Sequence, residues 1–126
     1  MVRILLAEDD KAMRVYLARA LEHAGYRVDA VDRGTAALPL LEAENYDLLL
    51  SDIVMPEMDG IELAQRCAET SPSTRVMLIT GFAGVTLRAS REAPRAKVLS
   101  KPFHLKDLVL EIERTFEDTA AISLRP

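Results

Sequence analysis

Short apolar runs alternate with amphipathic stretches along almost the whole chain. Five runs have the length of buried β-strands and lie at residues 2–6, 26–31, 48–50, 75–79 and 96–99. The run at 48–50 is three leucines followed by Ser51 and Asp52, and its lack of polar positions is typical of a strand buried on both faces of a parallel sheet. The run at 26–31 is more polar, so it is predicted at a sheet edge.

The intervening stretches carry apolar residues at helical spacing. In the first helix these are Met13, Leu17, Ala20, Leu21 and Ala24, and Gly25 ends it. Further helices are predicted over residues 35–43, after a cap at Asp59, over residues 84–93 and from His104 onward. Pro39 removes a helical hydrogen bond after the first turn, so it either lies near the start of its helix or kinks that helix.

Five strands in strict alternation with helices predict an α/β fold, with a doubly wound parallel sheet covered by helices on both faces. The 126 residues fit one domain with one core. From Asp118 onward most residues are small or polar. We therefore expect a domain over residues 1–117 and a flexible tail over residues 118–126.

Composition and charge exclude several classes of protein. The net charge of −4 and the absence of a basic stripe argue against a nucleic-acid partner. No apolar run approaches the ~20 residues of a membrane helix, and the chain opens directly on a strand pattern without a signal peptide. The single cysteine, Cys67, is predicted to be a small buried residue. These features predict a reducing, cytoplasmic setting.

Chemically active side chains follow four of the predicted strands. Glu8 and Asp9 follow the first strand, Asp52 the third, Thr80 the fourth and Lys101 the fifth. The carboxyl ends of the strands lie along one edge of a doubly wound sheet, which is where such sheets bind ligands. The sequence therefore predicts that these groups converge on one site.

The acids of this set predict a magnesium site. Three carboxylates at one edge repel one another unless a cation lies between them, and hard oxygen ligands favour Mg²⁺. Glu8, Asp9 and Asp52 are the predicted ligands, and the backbone carbonyl of Val54 is a further one. Asp10 is predicted to be peripheral or to cap the first helix.

Asp52 is predicted to accept a phosphoryl group as a nucleophile next to the metal ion. Lys101 supplies a charge that pairs with the carboxylate before transfer and with a phosphoryl oxygen afterwards. The Thr80 hydroxyl donates a hydrogen bond to another phosphoryl oxygen. Each residue alone has a structural alternative, such as a turn or a helix start, and only the set is specific.

The residues at these strand ends resemble the receiver domain of two-component response regulators. The matching motifs are LLAEDD at 5–10, SDIVMP at 51–56 with Asp59 and Gly60, LITG at 78–81 and KPF at 101–103. The resemblance covers nearly the whole chain. It implies a flavodoxin-like sheet of strand order 2-1-3-4-5, a phosphorylated Asp52, an acidic Mg²⁺ pair of Glu8 and Asp9, and a switch pair of Thr80 and Lys101.

The resemblance also implies partners. The phosphodonor would be a phosphohistidine protein, either a histidine kinase or a phosphotransferase. No output domain follows the receiver pattern, so the expected protein is a stand-alone regulator that acts by contact and not an enzyme beyond its own phosphorylation and dephosphorylation. Residues 8–14, 80–83 and 99–105 look like the CpdR type of single-domain regulators, which gate ClpXP proteolysis, although similar strings occur in receivers attached to hybrid kinases.

One position departs from the family. Many receivers carry an aromatic residue three places before the lysine, where this chain has Val98. Signal transmission is therefore expected through Thr80 and the loop at 81–84, with Phe82 either as a moving part or as an anchor for a partner. The expected partner surface consists of Phe82, Val98, Pro102, Phe103 and the start of the last helix.

Three other functions fit the same sheet. A phosphatase with an aspartyl nucleophile would need a second aspartate two places after the first, where Val54 stands. A flavin-binding module would need hydroxyl and glycine residues after the first strand, where the acids would repel a phosphate. A phosphorylation-independent adaptor would need none of the site chemistry that the sequence keeps.

Overall fold

The computed structural model describes residues 1–100 and 104–124. Strands and helices alternate in these residues in the order β1 (Arg3–Ala7), α1 (Lys11–His23), β2 (Arg27–Val31), α2 (Gly34–Ala43), β3 (Leu48–Asp52), α3 (Gly60–Thr70), β4 (Arg75–Thr80), α4 (Ala83–Glu92), β5 (Lys97–Ser100) and α5 (Leu105–Leu124). The predicted elements are all present, with most bounds displaced by about one residue, as is usual at fraying ends.

The five strands form one parallel sheet in the order β2-β1-β3-β4-β5, which confirms the predicted fold. β3 lies at the centre, with Leu50 beside Leu6 of β1 and Met77 of β4. β2 lies at an edge, as its polar composition predicts. The parallel order places all five carboxyl ends on one side of the molecule.

The central strand is buried on both faces, as its run of leucines predicts. Leu48 and Leu50 pack with residues of α1 and α5, whereas Leu49 packs with residues of α2 and α3. All three side chains are fully buried. Alternate residues of a strand point to opposite faces, so an uninterrupted apolar run is what a sheet between two helical layers requires.

Two aspartates begin helices that flank the strand ends. The Asp10 carboxylate accepts a hydrogen bond from Met13 N at 3.1 Å and caps α1. The Asp59 carboxylate accepts from Glu62 N at 2.8 Å and caps α3. These bonds satisfy backbone donors that a helix start leaves open. The sequence predicted the Asp59 cap and left Asp10 between a cap and a peripheral position, and the structure makes it a cap.

Helix α2 contains Pro39 in its interior. The helix begins at Gly34, so Pro39 lies beyond the first turn and the alternative that placed it near the helix start is wrong. Proline has no N–H, so it cannot donate to the carbonyl of Thr35. The side chain is exposed, which means that its ring adds little to the core.

Two other predictions concern α3 and α5. Cys67 of α3 is buried, as predicted, and burial raises the pKa of its thiol to about 11. Helix α5 runs through Leu124, past the predicted domain boundary at residue 117, and the division into domain and tail stays a prediction. No helix in the part of the chain that the structure describes is long and apolar enough to cross a bilayer.

Candidate functional site

Three acids meet where the first and third strands end. β1 ends at Ala7, which lies beside Ser51 of β3, so Glu8 and Asp9 follow directly next to Asp52. Each acid offers a carboxylate oxygen, and these oxygens all lie within 4.8 Å of one another. Glu8 is buried, Asp52 is half-buried and Asp9 is exposed. The cluster is therefore accessible to solvent at Asp9, whereas its Glu8 side is enclosed by the protein.

The backbone around Glu8 is fixed from two directions. Glu8 N donates to Val31 O of β2 at 3.1 Å, and Arg14 of α1 donates through Nη1 to Glu8 O at 2.9 Å. Asp10 N donates to the Glu8 carboxylate at 3.3 Å. The first turn of α1 is thus folded around the buried acid. The role of Arg14 was not predicted from the sequence, because no residue pattern marks a side chain that donates to a backbone carbonyl earlier in the chain.

The backbone of Asp52 is held by two small residues. The Ser51 hydroxyl, which is fully buried, donates to Asp52 O at 2.8 Å. Gly60, the first residue of α3, packs so close that a Cβ atom there would lie 2.3 Å from Asp52 O. Only glycine permits this approach without displacement. Ser51 and Gly60 belong to the sequence motifs but had no predicted role, and the signal available for Gly60 was a glycine directly after a capping aspartate.

Thr80 ends β4 beside Ser100 of β5 and is 1% exposed. Its hydroxyl oxygen accepts a hydrogen bond from Phe82 N at 3.0 Å. Phe82 is the residue immediately before α4, and its side chain is 62% exposed. The hydroxyl at the strand end and the start of α4 are therefore joined by one hydrogen bond.

The other predicted positions lie around this edge or beyond the described residues. Val54 follows Asp52 in the loop after β3 and is half exposed. Val98 is half-buried beside Leu78 of β4 and packs against the cluster between α3 and α4. The remaining predicted residues, Lys101, Pro102 and Phe103, fall outside the residues that the structure describes.

The loop between β3 and α3 contains a strained turn. Glu57 has φ of 69°, a conformation that costs energy for a residue with a side chain. Met58 N donates to Pro56 O at 2.8 Å across this turn, and the Glu57 carboxylate accepts from the Thr35 hydroxyl of α2 at 3.3 Å. The start of α2 thus braces the loop that follows Asp52.

The donor set of the cluster suits a divalent cation. Like charges within 4.8 Å of one another repel, and a cation placed among their oxygens removes that repulsion. Carboxylate oxygens are hard ligands of the kind that Mg²⁺ and Ca²⁺ take. One acid is buried, so desolvation adds to the repulsion that a cation would offset.

Comparison with known proteins identifies the family. The model of the response regulator receiver domain matches residues 4–113. The chain belongs to this family. Its receiver domain is 61% identical over 115 residues to the response regulator receiver protein CpdR of Brucella abortus (strain 2308), covering 90% of this chain and 96% of that protein. It is 33% identical to the response regulator MprA of Mycobacterium bovis (strain BCG / Pasteur 1173P2), covering 98% of this chain but 56% of MprA.

Solved receiver domains share its fold. The receiver domain of a CheY-like response regulator from Methanospirillum hungatei JF-1 superposes with a TM-score of 0.88 at 28% identity, over 96% of this chain and 98% of that one. The response regulator protein TrrA of Thermotoga maritima, solved in complex with Mg²⁺-BeF, superposes with a TM-score of 0.81 at 28% identity, over 90% of this chain and 98% of that one. The resemblance inferred from the motifs is thereby confirmed.

Proposed function

We propose that this receiver domain accepts a phosphoryl group on Asp52 from a phosphohistidine protein, and that phosphorylation changes a protein-binding surface. The observation that carries the proposal is the cluster of Glu8, Asp9 and Asp52, whose oxygens lie within 4.8 Å at the ends of β1 and β3. A half-buried carboxylate grouped with two other acids suits a phosphoacceptor next to a metal ion. The membership of the receiver family supports this assignment.

The three acids, together with the carbonyl of Val54, are the proposed ligands of Mg²⁺. The ion, when bound, supplies positive charge that neutralises the carboxylates and the oxygens of an incoming phosphoryl group. The complex of TrrA with Mg²⁺-BeF supports this choice of metal, because TrrA is a similar receiver. The Arg14 contact to the Glu8 carbonyl would hold the loop that carries two of the ligands.

In the proposed transfer, a carboxylate oxygen of Asp52 forms a bond to phosphorus while the bond from phosphorus to the donor's imidazole nitrogen breaks. The nitrogen keeps the bonding electrons, and a proton already on the other ring nitrogen makes the leaving group a neutral imidazole. Lys101 is proposed to pair with a phosphoryl oxygen after transfer. The Thr80 hydroxyl is proposed to donate to another, since it lies at the end of the strand next to β3.

The proposed switch begins at Thr80. Its oxygen now accepts from the Phe82 amide, so a turn of the hydroxyl toward a phosphoryl group would alter the hydrogen bond to the start of α4. The new charge would stabilise one of two arrangements of α4 and its neighbours. The proposed output surface contains Phe82 and Val98 together with Pro102 and Phe103. Phe82 is largely exposed and available to a partner.

The proposed output is control of ClpXP-dependent proteolysis by direct contact. The identity of 61% with CpdR over almost all of that protein supports a CpdR-like role. The alternatives are less well supported. Val54 stands where an aspartyl phosphatase would need its second acid, and the acid cluster would repel the phosphate of a flavin.

Phosphorylation is tested by incubation with acetyl phosphate and Mg²⁺, followed by intact-mass measurement. We expect the wild type to gain the mass of one phosphoryl group and Asp52→Asn to gain none. Asp107→Asn, an exposed aspartate on α5, is the matched control and should be modified like the wild type. An unmodified wild type, or an Asp52→Asn protein that is modified equally, would refute the assignment.

The output is tested by degradation assays with purified ClpXP and a substrate that depends on a CpdR-type regulator. We expect degradation in the presence of the wild type to differ between the acetyl phosphate-treated and untreated states, and Asp52→Asn to behave as one state throughout. Equal stimulation by both states would support a phosphorylation-independent adaptor. The absence of any effect on degradation would exclude ClpXP as the output.

A further inference from the structure

Helix α4 has a weak apolar attachment to the rest of the domain. Among the side chains of α4 whose burial the structure describes, Ala89 is fully buried, Val85 is half-buried, and Leu87 is 57% exposed. The alanine that follows the helix, Ala93, is also buried. Alanine side chains remove little apolar surface from water, so the polar contacts of α4 contribute a large share of what fixes its position.

Two polar contacts tie α4 to α3, and a third ties its start to β4. Arg88 Nη2 pairs with the Asp59 carboxylate at 2.9 Å, and Gln65 Nε2 donates to Glu92 O at 3.0 Å. The third contact is the hydrogen bond from Phe82 N to the Thr80 hydroxyl. The helix is therefore held at its start, its middle and its end.

The ion pair of Arg88 connects α4 to the segment that packs against the Asp52 backbone. Asp59, the partner of Arg88, caps α3, and the next residue, Gly60, lies directly against Asp52 O. Glu92 also pairs with Arg88, at 2.8 Å, and holds the guanidinium on the side that faces α3. Arg88 thus links α4 to the start of α3, which packs against the proposed phosphoacceptor Asp52. This link is independent of the hydrogen bond to Thr80.

We propose that Arg88 is a positioning residue that latches α4 to the cap of α3 and so opposes the rearrangement that follows phosphorylation. The proposal rests on the proposed function of Asp52. When the Thr80 hydroxyl turns to a phosphoryl oxygen, the Phe82 amide loses its acceptor and the start of α4 is released. The Arg88 and Gln65 contacts then remain to hold the helix in its present position.

The latch shifts the equilibrium between the two positions of α4 toward the present one, but it does not prevent the rearrangement. Arg88 and Asp59 are 48% and 27% exposed, and ion pairs at such positions contribute weakly because water and salt screen them. A pair of this kind shifts a two-state equilibrium by about two- to fivefold. Breaking the latch should therefore increase the affinity for a phosphoryl mimic by about the same factor, since a ligand that prefers one state binds more tightly when that state is more populated.

The test is a titration of metal-loaded protein with beryllium fluoride, a mimic of the phosphoryl group, followed by the amide NMR signals of residues 82–92. Arg88→Met keeps the aliphatic stem and removes the charge, and Asp59→Asn removes the charge while an amide still caps α3. Each variant should bind beryllium fluoride about two- to fivefold more tightly than the wild type. The double variant should show no further gain, because both changes break the same contact.

Arg91→Met and Arg88→Lys are the controls. Arg91 lies on the same helix without an ion-pair partner among the described residues, so its substitution should leave the affinity unchanged. Arg88→Lys should return the affinity toward the wild-type value. Unchanged or weaker binding by both Arg88→Met and Asp59→Asn would overturn the latch, whereas failure of the wild type itself to bind beryllium fluoride would overturn the proposed function.

Discussion

Val54 lies two residues beyond Asp52 of the acid cluster, and its apolar side chain is half exposed. A valine cannot orient a water molecule for attack on a phosphorylated aspartate. We therefore predict slow self-catalysed dephosphorylation. Val54→Asn would place an amide there, and one hydrogen bond of about 1 kcal/mol in the transition state corresponds to a roughly fivefold faster loss of the phosphoryl group.

The rate is measured by intact mass after acetyl phosphate has been removed. Val54→Ala is the control, because it shortens the side chain without adding a hydrogen-bonding group, and it should lose the phosphoryl group at the wild-type rate. If Val54→Asn also decays at the wild-type rate, the side chain at this position does not limit hydrolysis.

Single residues of the site differ in how far the sequence predicts them. Glu8, Asp9 and Asp52 were found because acids at the ends of apolar runs have a chemical reason to meet. Arg14 and Ser51 were not, because each acts through a hydrogen bond to a backbone carbonyl, and any donor at a suitable distance makes that bond. Such roles depend on the fold bringing a side chain to a particular peptide group.

The contact between α3 and β3 depends on the absence of a side chain. Gly60→Ala would place a Cβ atom 2.3 Å from Asp52 O, and the backbone would have to move. We predict a loss of about 2–3 kcal/mol in the free energy of unfolding, together with weaker Mg²⁺ binding, because the displaced backbone is that of a proposed ligand. Urea unfolding and a metal titration measure the two effects.

The matched control is Gly84→Ala near the start of α4. A Cβ atom at Gly84 has no heavy atom within 4 Å, and alanine favours a helix by up to about 1 kcal/mol over glycine. This variant should be as stable as the wild type or more stable. Equal behaviour of the two alanine variants would show that the close approach at Gly60 does not constrain the site.

Helix α2 is destabilised by its own sequence at Pro39. Proline costs about 3 kcal/mol relative to alanine inside a helix, and it returns part of this by restricting the unfolded chain. Because Pro39 is exposed, its replacement removes little packing. Pro39→Ala should therefore raise the free energy of unfolding by about 2 kcal/mol in urea, whereas Glu42→Ala on the same helix should change it by less than about 0.5 kcal/mol. No gain from Pro39→Ala would mean that the fold has already adapted to the proline.

Elements with a strong apolar pattern were predicted most closely. The run of leucines in β3 predicts a strand that is buried on both faces, and such a strand must lie in the interior of the sheet. The structure places β3 at the centre of the sheet. The sequence left open where Pro39 falls in α2, and in the structure the helix begins at Gly34, which lies against Met58 of the loop after β3. That contact joins segments far apart in the chain, and local propensity does not contain it.

The proposed metal binding at the acid cluster would couple the cluster to the stability of the whole domain. Glu8, Asp9 and Asp52 come together only when β1 and β3 pair, so the proposed Mg²⁺ site exists only in the folded state. At roughly a hundred times its dissociation constant, the ion should add about 2.7 kcal/mol to the free energy of unfolding. Asp9→Asn should remove this gain and should stabilise the metal-free protein by relieving repulsion.

Asp10→Asn is the matched control for the metal prediction. Asparagine caps a helix about as well as aspartate, so the variant should keep the start of α1 and the response to Mg²⁺. Thermal unfolding with and without Mg²⁺ compares the three proteins. If both variants lose the Mg²⁺ response equally, the response depends on the net charge of the protein and not on a specific metal site.

The ion pair between Lys97 of β5 and Glu111 of α5 makes stability depend on pH. The hydrogen bond from Lys97 lowers the pKa of the Glu111 carboxyl below its ordinary value of 4.5. The pKa of Glu111 is thus lower in the folded state than in the unfolded state. The stabilisation by the ion pair is therefore fully present above pH 4.5 and is lost as the pH falls through the pKa of the folded state.

Urea unfolding of the wild type and of Glu111→Gln, from neutral pH to below pH 4.5, tests the direction of this pH dependence. The wild type should be the more stable protein at neutral pH, and the difference should shrink as the pH falls below 4.5. Lys97→Met should reduce the pH dependence in the same way. A difference that grows in acid would contradict the assignment of the ion pair.

The resemblance to receiver domains implied the strand order, whereas the sequence by itself determined the alternation of strands and helices, the central position of β3 and the residue types of the acid cluster. It did so because the period of apolar residues selects strands and helices, and because parallel strands end on one edge. Tertiary structure alone decided that Gly60 presses on Asp52, that Arg14 holds Glu8 and that Arg88 of α4 reaches the cap of α3. These contacts depend on distances between elements that are remote in the chain, and distances of that kind follow from packing and not from any local pattern.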